Sequence, residues 1–391
     1  MPTVYDLPFP GNTAFVRSEN LSSCIQKEII KKGNVISFAD YMDLALYHPM
    51  YGYYNSPQLE FGAKGDFTTA PEVSNLFGKC LVREIQPIIS TLGPADILEI
   101  GAGSGKLACD LLLELKHNNC LPNHYYIYEI SPALRKKQQT LLKTHCHFFC
   151  DRISWLTELP KNFRGVVIGN EVLDALPVHT FVIDNELIKE RSVIFQNNKF
   201  TWKDTHPPSP EMLKIIQPLY EQETFADGYR SEVNVQLENF VASVTNSVKE
   251  GIIFWVDYGY GRTEYYHPER KNGTLTCFYH HIKNDNPFIY PGLQDITAHV
   301  NFTQVIEAAF KCHGKLAGYT TQANFLLACG LIELAQEEEK NLSPHEQINF
   351  HHGIKVLTLP TEMGERIKVM AISKNFNPTL RGFKHDRRRE L

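Results

Sequence analysis

The segment that most constrains the fold is a short apolar run, residues 96–100, followed by glycine at every second position from 101 to 105. The run is short enough for a buried strand, and apolar residues then recur at helical spacing, which predicts a helix over 105–117. Glycine between a strand and a helix lets the backbone approach a ligand closely, and the helix start directs free N–H groups at the same point. The segment therefore predicts a strand–turn–helix unit that holds a nucleotide-like cofactor.

The spacing of the glycines distinguishes three kinds of cofactor site. A Walker P-loop fails at two required positions, and a dinucleotide fingerprint fits only in a frame two residues later than the strand end predicts. The third pattern, E-x-G-x-G-x-G at Glu99, Gly101, Gly103 and Gly105, resembles motif I of class I S-adenosylmethionine (SAM) methyltransferases. SAM carries positive charge on its sulfonium and ammonium groups, so a carboxylate at the strand end suits it and would repel a pyrophosphate.

Two further acids are predicted to contact the cofactor. Glu129 ends a strand-like run over 125–130 and can accept hydrogen bonds from both ribose hydroxyls, a role that fits SAM and NAD equally. Asp151 follows a strand expected at 147–150 and can accept a hydrogen bond from the adenine amino group. A surface acid without such a role is the alternative for Asp151.

Strands and helices alternate along the chain, which predicts an α/β fold with a doubly wound, mostly parallel, Rossmann-like sheet. The expected strands are 95–100, 125–130, 147–150, 165–170, 252–257 and 367–372. The expected regions are an N-terminal helical region and lid at 1–90, the first part of a SAM-binding core at 91–180, an α+β insertion at 181–250, and the rest of the core with irregular and helical segments at 251–391.

Outside the sheet, Thr69 and Glu72 predict a capping box that starts a helix to about Ile89. The aromatic, glycine-containing segment 47–75 is expected to close as a lid over the cofactor. The remaining expected elements are β-hairpins over 180–203 with turns at 184–185 and 197–198, and helices at 132–143, 231–250, 302–312, 321–339 and 344–351.

Charge and cysteine usage exclude several classes of protein. The net charge is −5 and no broad basic cluster exists, which argues against a nucleic-acid partner. No apolar run approaches the length of a membrane span. The nine cysteines include no C-x-x-C pair, so we expect a reducing compartment and no metal site. Residues 1–6 resemble neither a signal peptide nor a transit sequence, which predicts a cytoplasmic protein.

Two acids after the fourth expected strand are the candidates for catalysis. Glu171 and Asp174 are three residues apart, so one helical turn would put both on the same face. Carboxylates beside the SAM methyl group can orient a guanidinium and accept its proton, which the high pKa of that group requires. A helix cap or a structural ion pair is the alternative for Glu171. His299 is more simply explained as a structural histidine than as a base.

Several longer segments, taken together, resemble the MidA-like family, which includes a mitochondrial arginine methyltransferase that assists assembly of respiratory complex I. The resemblance spans nearly the whole chain. It is carried by residues 46–49, 52–54, 65–72, 99–105, 170–177, 257–259, 273–275, 295–300 and 321–326. The most particular are Gly-Asp-Phe-Thr-Thr-Ala-Pro-Glu at 65–72 and Asn-Glu-Val-Leu-Asp-Ala-Leu-Pro at 170–177.

The resemblance implies a class I SAM fold and protein arginine N-methylation, with a protein substrate such as a quinone-site subunit of complex I. It also places Glu171 where arginine methyltransferases have a guanidinium-binding glutamate. Three hypotheses stay open from the sequence: an arginine methyltransferase, a non-catalytic SAM-binding assembly factor, and a small-molecule methyltransferase or an NAD enzyme. The oligomeric state is open as well.

Overall fold

A computed structural model describes residues 7–62, 65–66, 68–222, 225–377 and 379–391. The predictions for residues 1–6 and for Phe67 in the family segment lie outside this part of the chain, and the expected lid, 47–75, lacks residues 63, 64 and 67. The chain divides into two compact units. We call residues 68–173, 238–262 and 300–391 the sheet unit, and residues 1–67, 174–237 and 263–299 the accessory unit.

The strands run as follows: β1 Asp96–Ile100, β2 Tyr125–Tyr128, β3 Ile153–Leu156, β4 Phe163–Asn170, β5 His179–Asp184, β6 Leu187–Gln196, β7 Lys199–Thr205, β8 Arg230–Val233, β9 Val248–Tyr260, β10 Thr276–Tyr279, β11 Ile282–Asn284, β12 Asp295–Thr297, β13 Val300–Asn301, β14 Lys315–Thr321 and β15 Ile367–Lys374.

The helices run as follows: α1 Asn12–Lys31, α2 Phe38–Tyr47, α3 Ala70–Val73, α4 Leu76–Leu92, α5 Lys106–His117, α6 Pro132–His145, α7 Pro210–Gln222, α8 Leu237–Ser247, α9 Arg262–Tyr265, α10 Phe302–Lys311, α11 Gln322–Ala328, α12 Leu331–Glu339, α13 Pro344–Thr358 and α14 Met363–Arg366. Short 3-10 turns lie at Tyr53–Asn55, His147–Arg152 and Arg388–Glu390.

The sheet unit is built on one sheet in the order β14-β15-β9-β4-β1-β2-β3, with β13 beside the end of β9. Strands β3, β2, β1, β4 and β9 are parallel, and β15 pairs antiparallel with both β9 and β14. The chain winds outward from β1 to β3 and then returns to β4 on the other side of β1. The predicted doubly wound α/β fold is confirmed, and the reversal beside β1 creates the crevice in which such sheets bind ligands.

The core of the sheet unit follows directly from its sequence pattern. The middle of β9, residues 252–256, is a continuous apolar run that is buried on both faces, as a central parallel strand requires. Gly169 at the end of β4 pairs with Trp255, and a Cβ there would lie 2.3 Å from the indole ring. Glycine at this position therefore lets the largest side chain of β9 pack against the edge where β4 ends.

The accessory unit holds two antiparallel sheets, in the orders β7-β6-β5-β8 and β11-β10-β12. The predicted hairpins are confirmed, although the first turn lies at Asn185 and Glu186, one residue later than expected. Positive φ angles there and at Asn197 with Asn198 give the tight turns that join β5 to β6 and β6 to β7. Helix α2 packs on this sheet through aromatic contacts, among them Phe38 with Trp202 at a ring distance of 4.9 Å.

Several expected elements differ in the structure. The strand at 147–150 is wrong, because those residues form a 3-10 turn and the strand is Ile153–Leu156. The helix expected at 231–250 begins only at Leu237, since residues 230–233 pair with β5. The helix expected at 321–339 is divided at Gly330, which has a φ of 86°. The helix expected at 344–351 continues to Thr358.

The predicted capping box at Thr69 does not form. Thr69 makes no side-chain cap bond, α3 ends after one turn, and α4 starts anew at Leu76 after the extended Ser74. The Glu72 carboxylate instead accepts a hydrogen bond from the Ser104 hydroxyl in the glycine loop after β1. Glu72 thus contacts another part of the sheet unit instead of capping its own helix.

Candidate functional site

The glycine loop after β1 has the conformation that the sequence predicts for a close approach to a ligand. Gly101, Gly103 and Gly105 have φ angles of 64°, 51° and 85°. Gly105 is the N-cap of α5, and a Cβ there would lie 3.3 Å from Gln138. Both the left-handed backbone and the neighbouring side chain therefore select glycine at position 105.

One buried glutamine, Gln138 of α6, holds the glycine loop to the end of β2. Its Nε2 donates to the carbonyl of Gly103 at 2.9 Å and to Oε2 of Glu129 at 3.0 Å. Its Oε1 accepts from Nε1 of Trp155 at 2.9 Å. Sequence reasoning missed Gln138, although a polar residue midway between Leu134 and Leu142 on the buried face of α6 was a signal for it.

Glu129 follows β2 and has a fixed orientation. Its Oε1 accepts from the backbone N–H of Ser131 at 2.9 Å, and Oε2 accepts from Gln138. The side chain is 5% exposed, and burial raises its pKa against these hydrogen bonds. Each carboxylate oxygen has a second lone pair, so the group can still accept bonds from a diol.

Glu99 lies at the end of β1 and is 3% exposed. Its Oε2 accepts a hydrogen bond from the Tyr125 hydroxyl at 2.7 Å. Burial raises the pKa of Glu99 to about 7; the Tyr125 hydrogen bond opposes this shift, and the charge of Glu129 adds to it. Two buried carboxylates that repel each other suit a cationic ligand better than an anionic one.

The loop after β4 carries Glu171 in an unusual conformation. Glu171 has a φ of 50°, and its N–H donates to the carbonyl of Val256 at 2.8 Å. The carboxylate of Asp257 then accepts from the N–H groups of Val172 at 3.1 Å and Leu173 at 2.8 Å. The single helical turn expected from Glu171 to Asp174 is therefore wrong, because Glu171 has a left-handed backbone conformation and residues 171–174 form bends and a turn instead of a helix.

The loops after β1 and β4 approach each other at the point where the strand order reverses. A Cβ on Gly101 would lie 3.1 Å from a methyl group of Val172. Beside Glu171, Asn170 donates from Nδ2 to the Glu171 carboxylate at 3.3 Å, whereas its buried Oδ1 has no partner among the described residues. SAM is a cation with N–H donors, and this site fits such a ligand. It offers the unpaired Oδ1 of Asn170, the glycine loop after β1 and the buried carboxylates Glu99 and Glu129.

Asp151 does not have the position on which its candidate role depended. It is exposed and belongs to the 3-10 turn before β3, not to a loop after a strand. Since β3 is parallel to β2, Asp151 lies toward the amino end of the sheet, whereas ligands bind at the carboxyl end. The strand position on which the adenine contact of Asp151 depended is therefore wrong, and the contact loses its structural basis.

Asp174 belongs to the accessory unit, whereas Glu171 belongs to the sheet unit. Asp174 is 6% exposed, and its carbonyl accepts from the N–H of Ala298 at 3.0 Å. Its charge helps to raise the pKa of Tyr54 in the same unit. No group of three or more metal-ligating side chains occurs within the described ranges, and none of their helices is long and apolar enough to cross a membrane.

The site can be set beside known proteins. Residues 77–320 match the family model described as "Putative S-adenosyl-L-methionine-dependent methyltransferase". A crystal structure from Burkholderia thailandensis, of a "likely methyl transferase" bound to S-adenosyl-homocysteine, is 36% identical, covers 99% of this chain and 100% of its own, and has a TM-score of 0.92. A native structure from the same organism, of an uncharacterized protein, is 35% identical with a TM-score of 0.89, again over 99% of this chain and 100% of its own.

Curated relatives are similar over most of the chain. "Protein arginine methyltransferase NDUFAF7 homolog, mitochondrial" of Drosophila melanogaster is 27% identical and the match covers 90% of this chain and 84% of that protein. "Protein arginine methyltransferase NDUFAF7, mitochondrial" of Danio rerio is 28% identical, over 90% and 88%. The prediction of a cytoplasmic protein is contradicted by these relatives, which are mitochondrial.

Proposed function

This chain belongs to the family of S-adenosyl-L-methionine-dependent methyltransferases, and we propose that it transfers the methyl group to arginine side chains of a protein. Its cofactor is SAM, which supplies an electrophilic methyl group on a sulfonium. The choice of arginine as acceptor is supported by the relatives named protein arginine methyltransferase. The chemistry of the loop after β4 supports it independently.

For the cofactor, we assign Glu99, Gly101, Gly103, Gly105 and Glu129. The glycines leave every second position of the loop after β1 without a side chain, and α5 directs its first N–H groups toward that loop. Glu129, oriented by Gln138 and Ser131, has acceptor capacity for the ribose hydroxyls. Glu99 supplies negative charge for the cationic end of SAM.

For the acceptor, we assign Glu171, with Asp174 as a second candidate. A guanidinium has a pKa above about 12, so its nitrogen attacks only when it is oriented and its proton has an acceptor. The observation that carries this assignment is the conformation of Glu171. A left-handed glutamate costs about 1–2 kcal/mol and persists only where neighbours fix it, as Val256 and Asp257 do here.

Replacing Glu171 by Gln tests the assignment. The variant Glu171→Gln should bind SAM as tightly as the wild type and lose nearly all methyl transfer to an arginine-containing protein, because the amide neither accepts a proton nor offsets the guanidinium charge. Glu186→Gln is the matched control, since Glu186 also has a positive φ, of 62°, but lies in the turn between β5 and β6. Equal transfer rates in the two variants would remove Glu171 from the catalytic site.

The protein substrate is proposed to be a subunit of respiratory complex I or a similar protein, as the family resemblance implies. The relatives' names support an arginine-containing protein substrate and nothing finer. Purified complex I subunits, offered singly with labelled SAM, test this choice. Label in one subunit, mapped to arginine, is the expected result, whereas label in none of them would require another substrate.

A further inference from the structure

The accessory unit contains a group of tyrosines and aspartates, Tyr47, Tyr53, Tyr54, Asp66 and Asp295, which we call the tyrosine–aspartate cluster. The Tyr54 hydroxyl donates to Oδ1 of Asp295 at 2.8 Å, and the Tyr53 hydroxyl donates to Oδ2 of Asp66 at 2.8 Å. Asp295 is only 1% exposed. Each carboxylate is thus held by a tyrosine from the 3-10 turn that follows α2.

The rings of the cluster are packed against one another. Tyr47 and Tyr54 are stacked with ring centres 5.5 Å apart, and Tyr53 meets Tyr54 edge-on at 5.1 Å. Tyr47 is fixed in turn, because its hydroxyl donates to the carbonyl of Ala175 at 2.9 Å. Tyr47 and Tyr54 both keep part of their surface accessible. The cluster therefore presents fixed aromatic surface next to negative charge.

Its negative charge has no cation to balance it within the described part of the chain. The groups that act on Asp295 are the Tyr54 hydroxyl, the Ile296 N–H and the like charge of Asp66; burial raises the pKa of Asp295 to about 7. Buried carboxylates are normally paired with a cation or a metal ion, and the described residues contain no cluster of three or more His, Cys, Asp or Glu side chains that could hold a metal ion. The arrangement favours a cationic ligand from outside the chain.

Two buried polar atoms beside the cluster support a ligand independently of its charge. The Tyr279 hydroxyl, on a side chain that is 3% exposed, has no hydrogen-bond partner among the described residues, and burial together with the charge of Asp66 raises its pKa to about 12. Oδ1 of Asn55 is also buried without a partner in that part of the chain, while its Nδ2 donates to the carbonyl of Tyr47 at 3.1 Å. Unsatisfied buried groups are rare without a ligand or water to complete them.

We propose that the tyrosine–aspartate cluster binds the guanidinium group of an arginine in the protein substrate. The planar cation lies against a tyrosine ring and donates N–H bonds to the Tyr54 oxygen, whose own proton is donated to Asp295. A guanidinium suits this arrangement better than an ammonium, because it is planar, weakly hydrated and stacks on aromatic rings. The inference rests on the proposed arginine methyltransferase activity and names the residues that select its substrate.

The test is binding of a short arginine-containing peptide to the full chain, compared with the same peptide carrying citrulline, which has the same shape without the charge. The wild type should bind the arginine peptide about tenfold more tightly or better, and Asp295→Asn and Tyr54→Phe should each remove most of that difference. Tyr220→Phe is the matched control and should leave it unchanged, because Tyr220 is a half-buried tyrosine of the same unit whose hydroxyl donates to the carbonyl of Glu186. Equal binding of both peptides by the wild type would overturn the proposal.

Two further readouts keep the test decisive. SAM binding should be unchanged in Asp295→Asn and Tyr54→Phe. If either variant fails to fold, a comparison of Tyr47→Leu with Tyr47→Phe tests the stacked ring, and only Tyr47→Leu should weaken binding of the arginine peptide. Selective binding of the arginine peptide without methyl transfer to arginine would refute the proposed function but support guanidinium binding by the tyrosine–aspartate cluster. Methylation of arginine with an unchanged KM for the protein substrate in the cluster variants would support the proposed function but refute guanidinium binding by the cluster.

Discussion

Replacing Glu99 by Gln should make the SAM-free protein more stable near neutral pH and weaken its binding of SAM. The pKa of Glu99 is raised from 4.5 to about 7. The folded protein therefore holds this proton more tightly than the unfolded chain, so stability is lost as the pH rises from 4.5 toward 7. At about 1.36 kcal/mol per pKa unit, the full loss is about 3 kcal/mol, of which about 2.5 kcal/mol develops between pH 5 and pH 8.

Denaturant unfolding of the SAM-free protein at several pH values measures this effect. The free energy of unfolding of Glu99→Gln, relative to the wild type, should rise by about 2.5 kcal/mol from pH 5 to pH 8, because Gln cannot ionise. Gln can still accept the Tyr125 hydrogen bond, so the packing is kept. Glu158→Gln, at an exposed position, is the matched control for the loss of a carboxylate. A constant difference between Glu99→Gln and the wild type would refute the reasoning.

The same group links SAM binding to pH. If SAM requires ionised Glu99, its affinity for the wild type should rise up to tenfold per pH unit below about 7 and level off above it. Calorimetric titration in buffers of different ionisation enthalpy should show one proton released on binding near pH 6. Glu99→Gln should bind SAM more weakly than the wild type at pH 8, with no pH dependence from this group. Unchanged SAM affinity of Glu99→Gln at pH 8 would show that Glu99 does not contribute to binding of the cofactor.

Three other substitutions, with Gly228→Ala as a control, test how the site is held. Gln138→Leu removes the tie between the glycine loop and Glu129, and calorimetry should show SAM affinity reduced about tenfold; an unchanged Kd would mean the tie is not needed. Asp257→Asn replaces the carboxylate that accepts from two backbone N–H groups of the loop after β4. We expect kcat to fall, SAM affinity to stay the same and the free energy of unfolding to drop by about 1–3 kcal/mol. An unaltered kcat would contradict a positioning role for Asp257. Gly105→Ala and Gly228→Ala, at φ 85° and 80°, should each lower the free energy of unfolding by about 1–2 kcal/mol. Only Gly105→Ala should weaken SAM binding, and equal SAM affinity in the two variants would refute the assignment of the glycine loop to the cofactor.

The cofactor loop could be predicted from sequence because its signals are local. A short apolar run, alternate glycines and a helical repeat lie within residues 96–117, and the structure has the strand, the left-handed turn and the helix there. Short apolar runs alone are ambiguous, however. Residues 147–150 have the apolar character of a strand, but they continue from α6 as a 3-10 turn that buries Phe149. Asp151 therefore precedes β3 instead of following a strand.

The acceptor side depends on contacts that sequence spacing does not reveal. Asp257, which shapes the loop at Glu171, is some eighty residues away in the chain. The Tyr54–Asp295 pair is separated by 241 positions. A single helical turn would put Glu171 and Asp174 on one face, but Glu171 has a left-handed backbone conformation and no helix forms there. Tertiary partners of this kind are found only when the fold is known.

The most direct test of the central claim uses labelled SAM and an extract of the source cells lacking this protein. Addition of the purified wild-type chain should label a single protein, and mass spectrometry should place the methyl group on an arginine nitrogen. Glu171→Gln should give no label, although it still binds SAM. Label on a residue other than arginine, label only in small molecules, or no label with SAM bound would each contradict a protein arginine methyltransferase.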